Sequence, residues 1–144
     1  MTEIWRPIPS LNYQYEASSE GRIRSVDRTV YSPYHHRNGY RCKGKILTAT
    51  PDRISGVLYF RPCVDGVKLK RAVHVMVAEV FLGPRPFGLE VDHKDTNRNN
   101  CAISNLEYVT REVNAQRAAK NGLLPTKANG RWKAGRPRRS NLPY

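Results

Sequence analysis

The segment 89–114, which reads LEVDHKDTNRNNCAISNLEYVTREVN, decides the fold of this chain. Leu89 and Val91 are apolar, and residues 89–91 predict a short strand that delivers Asp92 and His93 at its end. Residues 95–100 are polar and rich in turn formers, so they predict a loop. The segment therefore begins as a strand that carries an acid and an imidazole to its end.

The second half of this segment predicts another strand and then a helix. Residues 106–109 have the composition of a short strand, and Thr110 after them is a predicted N-cap. Glu112 would lie in the first helical turn, where the helix dipole favours an anion. Gly122 predicts the C-terminal stop. The predicted order is strand, loop, strand, helix.

This order brings two oxygen donors close together. Asp92 lies at a strand end and Asn114 one turn into the helix, so a carboxylate oxygen and an amide oxygen can converge. Hard oxygen donors suit magnesium, which takes few protein ligands and keeps waters. Strand alternation points His93 to the opposite face, free of the metal, unless the backbone bends there. A neutral imidazole beside a cleft can accept a proton from water.

The pattern resembles the HNH endonuclease family with its ββα-metal core, in the branch of phage and intron-encoded homing endonucleases. The resemblance implies that Asp92 and Asn114 are ligands of Mg²⁺ or Mn²⁺ and that His93 is the general base. It implies that Asn105 pins the loop of the hairpin. The last motif position is histidine in many relatives, and asparagine there favours magnesium-assisted cleavage over tight binding of zinc.

Each motif residue alone has a simpler interpretation. An Asp-His pair at a strand end is usually a surface turn, Asn105 fits an Asx turn, and Asn114 fits a solvated helix position. The order and spacing of all four favour the nuclease site.

A calcium loop is a second alternative. Asp95, Asn97 and Asn99 occupy alternate positions, as in an EF-hand. However, Asn100 and Leu106 stand where an EF-hand needs glycine and glutamate. The sequence therefore disfavours this interpretation.

Composition indicates a polyanionic partner. The chain has 144 residues, a net charge of +13 and a pI near 10.1. That length allows one domain or two small modules, and that charge attracts phosphate. The sequence has no apolar run long enough to span a bilayer and no signal peptide, so nucleic acid is a better partner than a membrane. The resemblance favours double-stranded DNA over RNA.

The three cysteines predict a reducing compartment. Cys42, Cys63 and Cys101 are odd in number and form no Cys-x-x-Cys pair. A zinc site that combines Cys42 and Cys63 with His35 and His36 would match no common spacing. The phage resemblance implies the cytoplasm of a bacterial host.

The first 28 residues predict a small β-rich module. Trp5, Ile8 and Tyr15 are expected to bury against Ile23 and Val26. The Glu-x-Trp-x-Pro-Ile, Tyr-Glu-x-Ser and Gly-Arg-Ile-x-Ser steps resemble the nuclease-associated modular domain that precedes HNH cores. That resemblance implies a DNA-contacting module with Arg22 and Arg24 as candidate contacts, although a purely structural extension of the sheet is an open alternative.

Residues 29–45 alternate aromatic and basic side chains without a regular amphipathic pattern, which predicts an exposed loop. Such a composition suits phosphate contact and base stacking, and the candidate contacts are Arg37, Arg41 and Lys43. A solvated linker is the alternative.

The middle of the chain predicts three strands and a helix. The strands are expected at 46–49, 57–64 and 67–73, with Asp65-Gly66 as a two-residue hairpin turn and Pro62 at an edge or bulge. Residues 73–82 predict a helix that buries one apolar face. His74 at its start is interpreted as structural or phosphate-facing.

The chain ends in a basic segment, residues 123–144, without an acid after Glu112. Residues 134–139 resemble an AT-hook, whose arginines enter a narrow minor groove. A nonspecific electrostatic tail is the alternative. The candidate DNA contacts here are Arg136, Arg138 and Arg139.

Together these features predict an α+β protein. It comprises a β-rich module with a basic loop at 1–45, a nuclease domain at 46–122 with its ββα-metal core at 89–121, and a basic extended tail. The predicted activity is metal-dependent hydrolysis of DNA phosphodiester bonds, with Lys94, Arg98 or Arg111 stabilising transition-state charge. A non-catalytic DNA-binding protein on the same fold and an RNA-directed nuclease are alternatives. No self-association signal is visible, so a monomer is the default.

Overall fold

The computed structural model describes residues 2–32 and 36–122 of the chain. This part folds into short antiparallel sheets and two helices. In chain order the elements are β1 (Trp5–Pro7), β2 (Tyr15–Ser18), β3 (Ile23–Ser25), β4 (Arg28–Ser32), β5 (His36–Cys42), β6 (Thr50–Pro51), β7 (Leu58–Phe60), β8 (Cys63–Val64), β9 (Val67–Lys68), β10 (Arg71–Ala72), α1 (Val73–Phe81), β11 (Leu89–His93), β12 (Leu106–Thr110) and α2 (Arg111–Lys120).

The N-terminal sheet has the strand order β1-β2-β3. Ile8, Tyr15 and Ile23 are buried as predicted. The prediction is wrong for Trp5, which is only half-buried, because its indole lies under two guanidinium groups on the outer face. The guanidinium carbons of Arg24 and Arg22 lie 4.4 and 5.8 Å from the ring centroid. Cation-π contact replaces burial at this position.

The expected loop at 29–45 is wrong in its first part, because β4 and β5 form an antiparallel hairpin. The exposed side chains of this hairpin, such as Tyr31 and Tyr40, are not packed into a core, so the sequence shows no polar–apolar alternation to read. Tyrosine, threonine and valine nevertheless favour extended backbone, and the ladder bonds join backbone groups only. Gly39 has a φ of 73° and lies beside the Tyr31 ring. A larger residue at this position would strain the backbone and crowd that ring.

The central strands are shorter than predicted. The expected strand at 57–64 divides into β7 and β8 at Pro62, which has no N–H for a ladder bond and is itself buried. The expected strand at 46–49 forms only an isolated bridge between Ile46 and Arg24. The hairpin turn at Asp65-Gly66 is confirmed, with φ values of 50° and 82° and strands β8 and β9 on either side.

Helix α1 confirms the prediction for 73–82 and ends one residue earlier, at Phe81. It buries Val73, Met76 and Val77 in the hydrophobic core. The same core receives side chains from the N-terminal sheet, from β7 and from β12, so the elements share one apolar interior; its members include Ile8, Leu11, Tyr15, Ile23, Phe60, Cys101 and Leu106.

The predicted strand, loop, strand and helix at 89–122 are confirmed. Strands β11 and β12 pair without a break from Leu89 opposite Thr110 to His93 opposite Leu106. Thr110 caps α2, since its hydroxyl accepts a hydrogen bond from Val113 N at 3.3 Å. Gly122 follows the helix with a φ of 66°. Strand β11 extends further than predicted, because Asp92 and His93 belong to its ladder.

The N-terminal sheet packs directly on the loop that leads into β12. Ile103 N donates to Ser19 O at 2.9 Å. Gly21 has a φ of 82°, and a Cβ atom there would lie 2.5 Å from the carbonyl carbon of Cys101. The turn between β2 and β3 therefore needs glycine both for its backbone conformation and for its close approach to Cys101.

Neither helix in the part of the chain that the structure describes has the length and apolar character to cross a membrane. The basic tail, including the AT-hook resemblance, lies outside the described residues, as does His35 of the zinc alternative.

Candidate active site

A small cavity of about 60 Å³ opens between the end of β11 and the first turns of α2. Its lining combines an acid, an imidazole, an amide and two guanidinium groups. The residues are Asp92, His93, Thr96, Arg98, Asn114, Arg117 and Ala118. The structure thus brings Asp92 and Asn114 together, as the sequence predicts, and His93 borders the same cavity.

Asp92 is engaged on both carboxylate oxygens. Its Oδ1 accepts from the backbone N of His93 at 2.9 Å, and its Oδ2 accepts from Arg117 Nη1 at 3.0 Å. Arg117 Nη1 also donates to Glu107 Oε1 at 2.6 Å, and these two bonds raise the pKa of the guanidinium. Asp92 and Glu107 are direct cross-strand partners, and like charges in that position repel each other. Arg117 supplies the positive charge between them.

Asn114 is oriented by an acid on β11. Its Nδ2 donates to Glu90 Oε2 at 2.8 Å, which leaves the amide oxygen as the group available to the cavity. Glu90 and Asp92 are two residues apart on β11 and therefore share a face of the strand. The sequence analysis missed Glu90 and Arg117. The sequence spacing could have revealed both residues. Glu90 lies two residues before Asp92 on β11, and Arg117 lies one turn after Asn114 on α2.

His93 is the buried member of the cavity, with 7% of its surface exposed. Strand alternation predicts opposite faces for Asp92 and His93, yet both border the cavity. The reason is that β11 ends at His93 and the chain turns between His93 and Thr96. Burial is the largest cause that lowers the pKa of His93, and Arg98 acts in the same direction, while Asp92 and Asp95 oppose them. The imidazole is therefore neutral near pH 7.

Asn105 holds the loop between β11 and β12. It is buried, its Oδ1 accepts from Asp95 N at 3.0 Å, and its Nδ2 donates to Asp95 Oδ1 and to Asn100 O, each at 2.8 Å. It does not line the cavity. These bonds join Asn105, at the end of the loop, to Asp95 at its start and to Asn100. The loop therefore cannot move away from β11 without breaking several of them.

The donor set suits a divalent cation with few protein ligands. Among the residues that the structure describes, no group of three or more His, Cys, Asp or Glu side chains could hold a metal. Asp92 and Asn114 instead offer one carboxylate and one amide oxygen, which is a typical protein contribution to magnesium. The calcium alternative is weaker, because Asp95 is already bonded to Asn97 N, Asn100 Nδ2 and Asn105 Nδ2.

The structure describes the side chains of seven basic residues proposed for DNA contact, and five of these seven are engaged within the protein. Arg22 pairs with Glu3, Arg24 pairs with Glu16 at 2.5 Å, and Arg41 pairs with Asp27 at 3.3 Å. The rest have different surroundings: Lys94 donates to Ser104 O at 3.0 Å, Arg98 donates to Ser55 O, and Lys43 and Arg111 are exposed.

Only Arg98 of these basic residues borders the cavity. The side chain of Arg37, and Arg136, Arg138 and Arg139, lie outside the part of the chain that the structure describes.

Comparison with known proteins agrees with this geometry. Residues 71–116 match the HNH endonuclease family and residues 3–62 match the NUMOD4 motif. The chain is 31% identical over 124 residues to an uncharacterized HNH endonuclease of Acanthamoeba polyphaga mimivirus, which covers 85% of this chain and 32% of that protein. It is 29% identical over 121 residues to the DNA endonuclease I-HmuI of Bacillus phage SP01, covering 83% of this chain and 60% of the phage protein.

The solved structure of DNA binding and cleavage by the HNH homing endonuclease I-HmuI superimposes with a TM-score of 0.66 at 26% identity, over 85% of this chain and 61% of that one. The chain thus spans less than two thirds of the length of these relatives. The chain therefore carries a region that matches the HNH endonuclease family and, before it, a region that matches the NUMOD4 motif, on a fold similar to that of I-HmuI.

Proposed function

We propose that this chain is a divalent-metal-dependent endonuclease that hydrolyses phosphodiester bonds of double-stranded DNA, by nicking or by double-strand cleavage, in a phage or mobile-element setting. One observation carries the proposal: Asp92, His93 and Asn114 border one cavity, where two oxygen donors lie beside a neutral imidazole. The DNA endonuclease I-HmuI, similar in sequence and fold, supports DNA as the substrate.

The Asp92 carboxylate and the Asn114 amide oxygen would hold Mg²⁺ or Mn²⁺. Each Asp92 oxygen keeps a lone pair beyond the hydrogen bond it accepts, and Glu90 keeps the amide nitrogen of Asn114 turned away. When bound, the ion supplies Lewis-acid stabilisation of charge on the scissile phosphate and the leaving 3′-oxygen. Glu90 therefore acts on the site through the orientation of Asn114.

His93 is the proposed general base. Its Nε2 is buried, so Nδ1 is the nitrogen left to accept a proton from the attacking water. The water oxygen forms a bond to phosphorus as the bond from phosphorus to the 3′-oxygen breaks. The lowered pKa keeps the ring in its basic form, and Asn105 keeps the end of β11 in place through the loop.

Arg98 and Arg117 are the proposed partners of the charged phosphate. Of the three basic residues that the sequence nominates for transition-state stabilisation, only Arg98 borders the cavity, and Arg117 joins it there. Arg117 holds two carboxylates and is 42% exposed, so it can exchange one of them for a phosphate oxygen. Lys94 and Arg111 do not border the cavity, and we keep them as proposed contacts to the DNA backbone.

The decisive experiment uses supercoiled plasmid with Mg²⁺, with and without EDTA. Wild-type protein should convert plasmid to open circles or linear product only without EDTA. His93→Ala should lower the cleavage rate by at least about 100-fold while DNA affinity changes little, because the imidazole acts in the transition state only. Gln116→Ala, on the exposed side of α2, is the matched control and should cleave normally.

Each outcome separates the candidate functions. Cleavage that persists in His93→Ala removes the general-base assignment. DNA binding without cleavage in the wild type supports the non-catalytic DNA-binding protein. Preferential cleavage of RNA in a competition assay supports the RNA-directed nuclease.

A further inference from the structure

Two histidines from different elements meet beside the cavity. His74 is the second residue of α1 and His93 is the last residue of β11. Their ring centroids are 4.9 Å apart and the ring planes are tilted by 55°. His74 does not line the cavity, so the phosphate-facing interpretation of this residue loses its support.

These rings share an unusual feature. In the ranges 2–32 and 36–122, the buried side-chain nitrogen and oxygen atoms without a hydrogen-bond partner are His74 Nδ1 and His93 Nε2. An unpaired buried polar atom costs about 1–3 kcal/mol, so native proteins rarely leave one. Here both unpaired atoms belong to two rings in contact. One hydrogen bond between the rings would satisfy both.

We propose that His74 is a positioning residue for His93, whose Nε2–H donates a hydrogen bond to His74 Nδ1. The proposal rests on the proposed function for the role of His93 as general base. The ring centroids are 4.9 Å apart, so rotation about χ2, a soft torsion in histidine, can bring the two nitrogens into hydrogen-bonding distance. It holds the proton of the neutral imidazole on Nε2 and leaves the Nδ1 lone pair for the attacking water.

The surroundings of His74 favour it as the acceptor. Burial, with His93 and Arg98 adding to it, lowers the pKa of His74 to about 4, so the ring is neutral under assay conditions. The charged groups that act on His93 are Asp92, Asp95 and Arg98. A neutral His74 offers a lone pair, whereas an imidazolium would offer only protons. The N-terminus of α1 also disfavours a positive charge on His74.

Two substitutions separate hydrogen bonding from packing. His74→Asn keeps an acceptor near the position of Nδ1, and His74→Leu keeps bulk without an acceptor. The first measurement is the ¹⁵N chemical shifts of the imidazoles in labelled protein at pH 7.5 without metal or DNA, with His93→Gln to assign the signals. We expect His93 to be in the Nε2–H tautomer in wild type and His74→Asn, and in a tautomer mixture in His74→Leu.

The second measurement is cleavage with Mg²⁺. We expect kcat of His74→Leu to fall by about 10-fold or more with KM for DNA nearly unchanged, and His74→Asn to restore most of the rate. A merely structural His74 would give no rescue by asparagine.

The outcomes are distinct. An Nδ1–H tautomer of His93 in the wild type, or the same tautomer in all three proteins, overturns the pairing. The tautomer measurement needs no cleavage, so it tests the pairing even if the wild type proves inactive. A tautomer change without any nuclease activity would overturn the positioning role together with the proposed function, whereas tautomer change with a loss of kcat supports both.

Discussion

The N-terminal sheet and the β11–β12 hairpin use arginine–carboxylate pairs in opposite ways. In the sheet, Glu16 and Arg24 are direct cross-strand partners, so the register itself places opposite charges together. In the hairpin, the cross-strand partner of Asp92 is Glu107, and the register places like charges together. There the compensating charge comes from Arg117 on α2, a different element.

The ion pair of the N-terminal sheet is therefore complete, whereas the ion pairs of the hairpin can exchange partners. The Glu16–Arg24 pair is closed within two strands and covered by Trp5, and nothing in the sheet requires it to open. The acids of the hairpin depend on a cation that other cations can replace. A divalent metal at Asp92 would relieve the repulsion between the two acids and would leave the Arg117 guanidinium free to pair with a phosphate oxygen.

The largest expected effect is from Asp92→Asn, which removes the proposed metal-binding charge at nearly constant volume. Single-turnover nicking should slow by about 1,000-fold, or about 4 kcal/mol in activation free energy. Glu16→Gln is the matched control, because it neutralises an equivalent acid in the N-terminal sheet and should cleave at the wild-type rate. A rate within tenfold of wild type for Asp92→Asn would remove this residue from the site.

Arg117→Ala should have the next largest effect. We expect cleavage to slow by about 100-fold, since a charge partner of the phosphate is lost. Binding of Mn²⁺, followed by electron paramagnetic resonance, should not weaken, because the competing guanidinium is gone. Lys120→Ala removes the same charge from the same helix and should cleave normally. Faster cleavage by Arg117→Ala would show that Arg117 only blocks Asp92.

The burial of His74 predicts a loss of stability in acid. The pKa of His74 is about 4 in the folded protein and 6.5 ordinarily, so between these values the unfolded chain binds a proton that the folded protein does not. Stability therefore falls as the pH drops from 6.5 towards 4, by about 1–3 kcal/mol. Urea unfolding should show that the stability difference between wild type and His74→Leu changes over this range. A constant difference would contradict the buried neutral imidazole.

The smallest expected effect tests the contact between the two regions. Gly21→Ala should destabilise the protein by about 1–3 kcal/mol in urea unfolding, from its left-handed backbone and its clash with Cys101. Gly56→Ala is the matched control, because its φ is 69° but no atom lies within 4 Å of an added Cβ. Equal losses of unfolding free energy in the two variants would show that the close approach of Gly21 to Cys101 does not add to the effect.

Local chemistry explains what the sequence predicted well. The cap at Thr110 and the turn at Asp65-Gly66 arise from preferences of a few neighbouring residues, and both are found where expected. The hairpin formed by β4 and β5 was missed because its exposed faces give no periodic pattern, although its backbone ladder is regular. The exposed face of Trp5 was missed because stacking under arginines depends on neighbours in space.

Short-range sequence patterns were sufficient to predict the strand, loop, strand and helix at 89–122 and the positions of the motif residues on them, because periodicity, caps and turn residues act over short distances. Only the tertiary structure decided that Arg117 joins Asp92 to Glu107, that Glu90 orients Asn114, and that His74 meets His93. Those contacts join different elements, and they depend on how the helices pack against the strands, which short-range patterns do not specify.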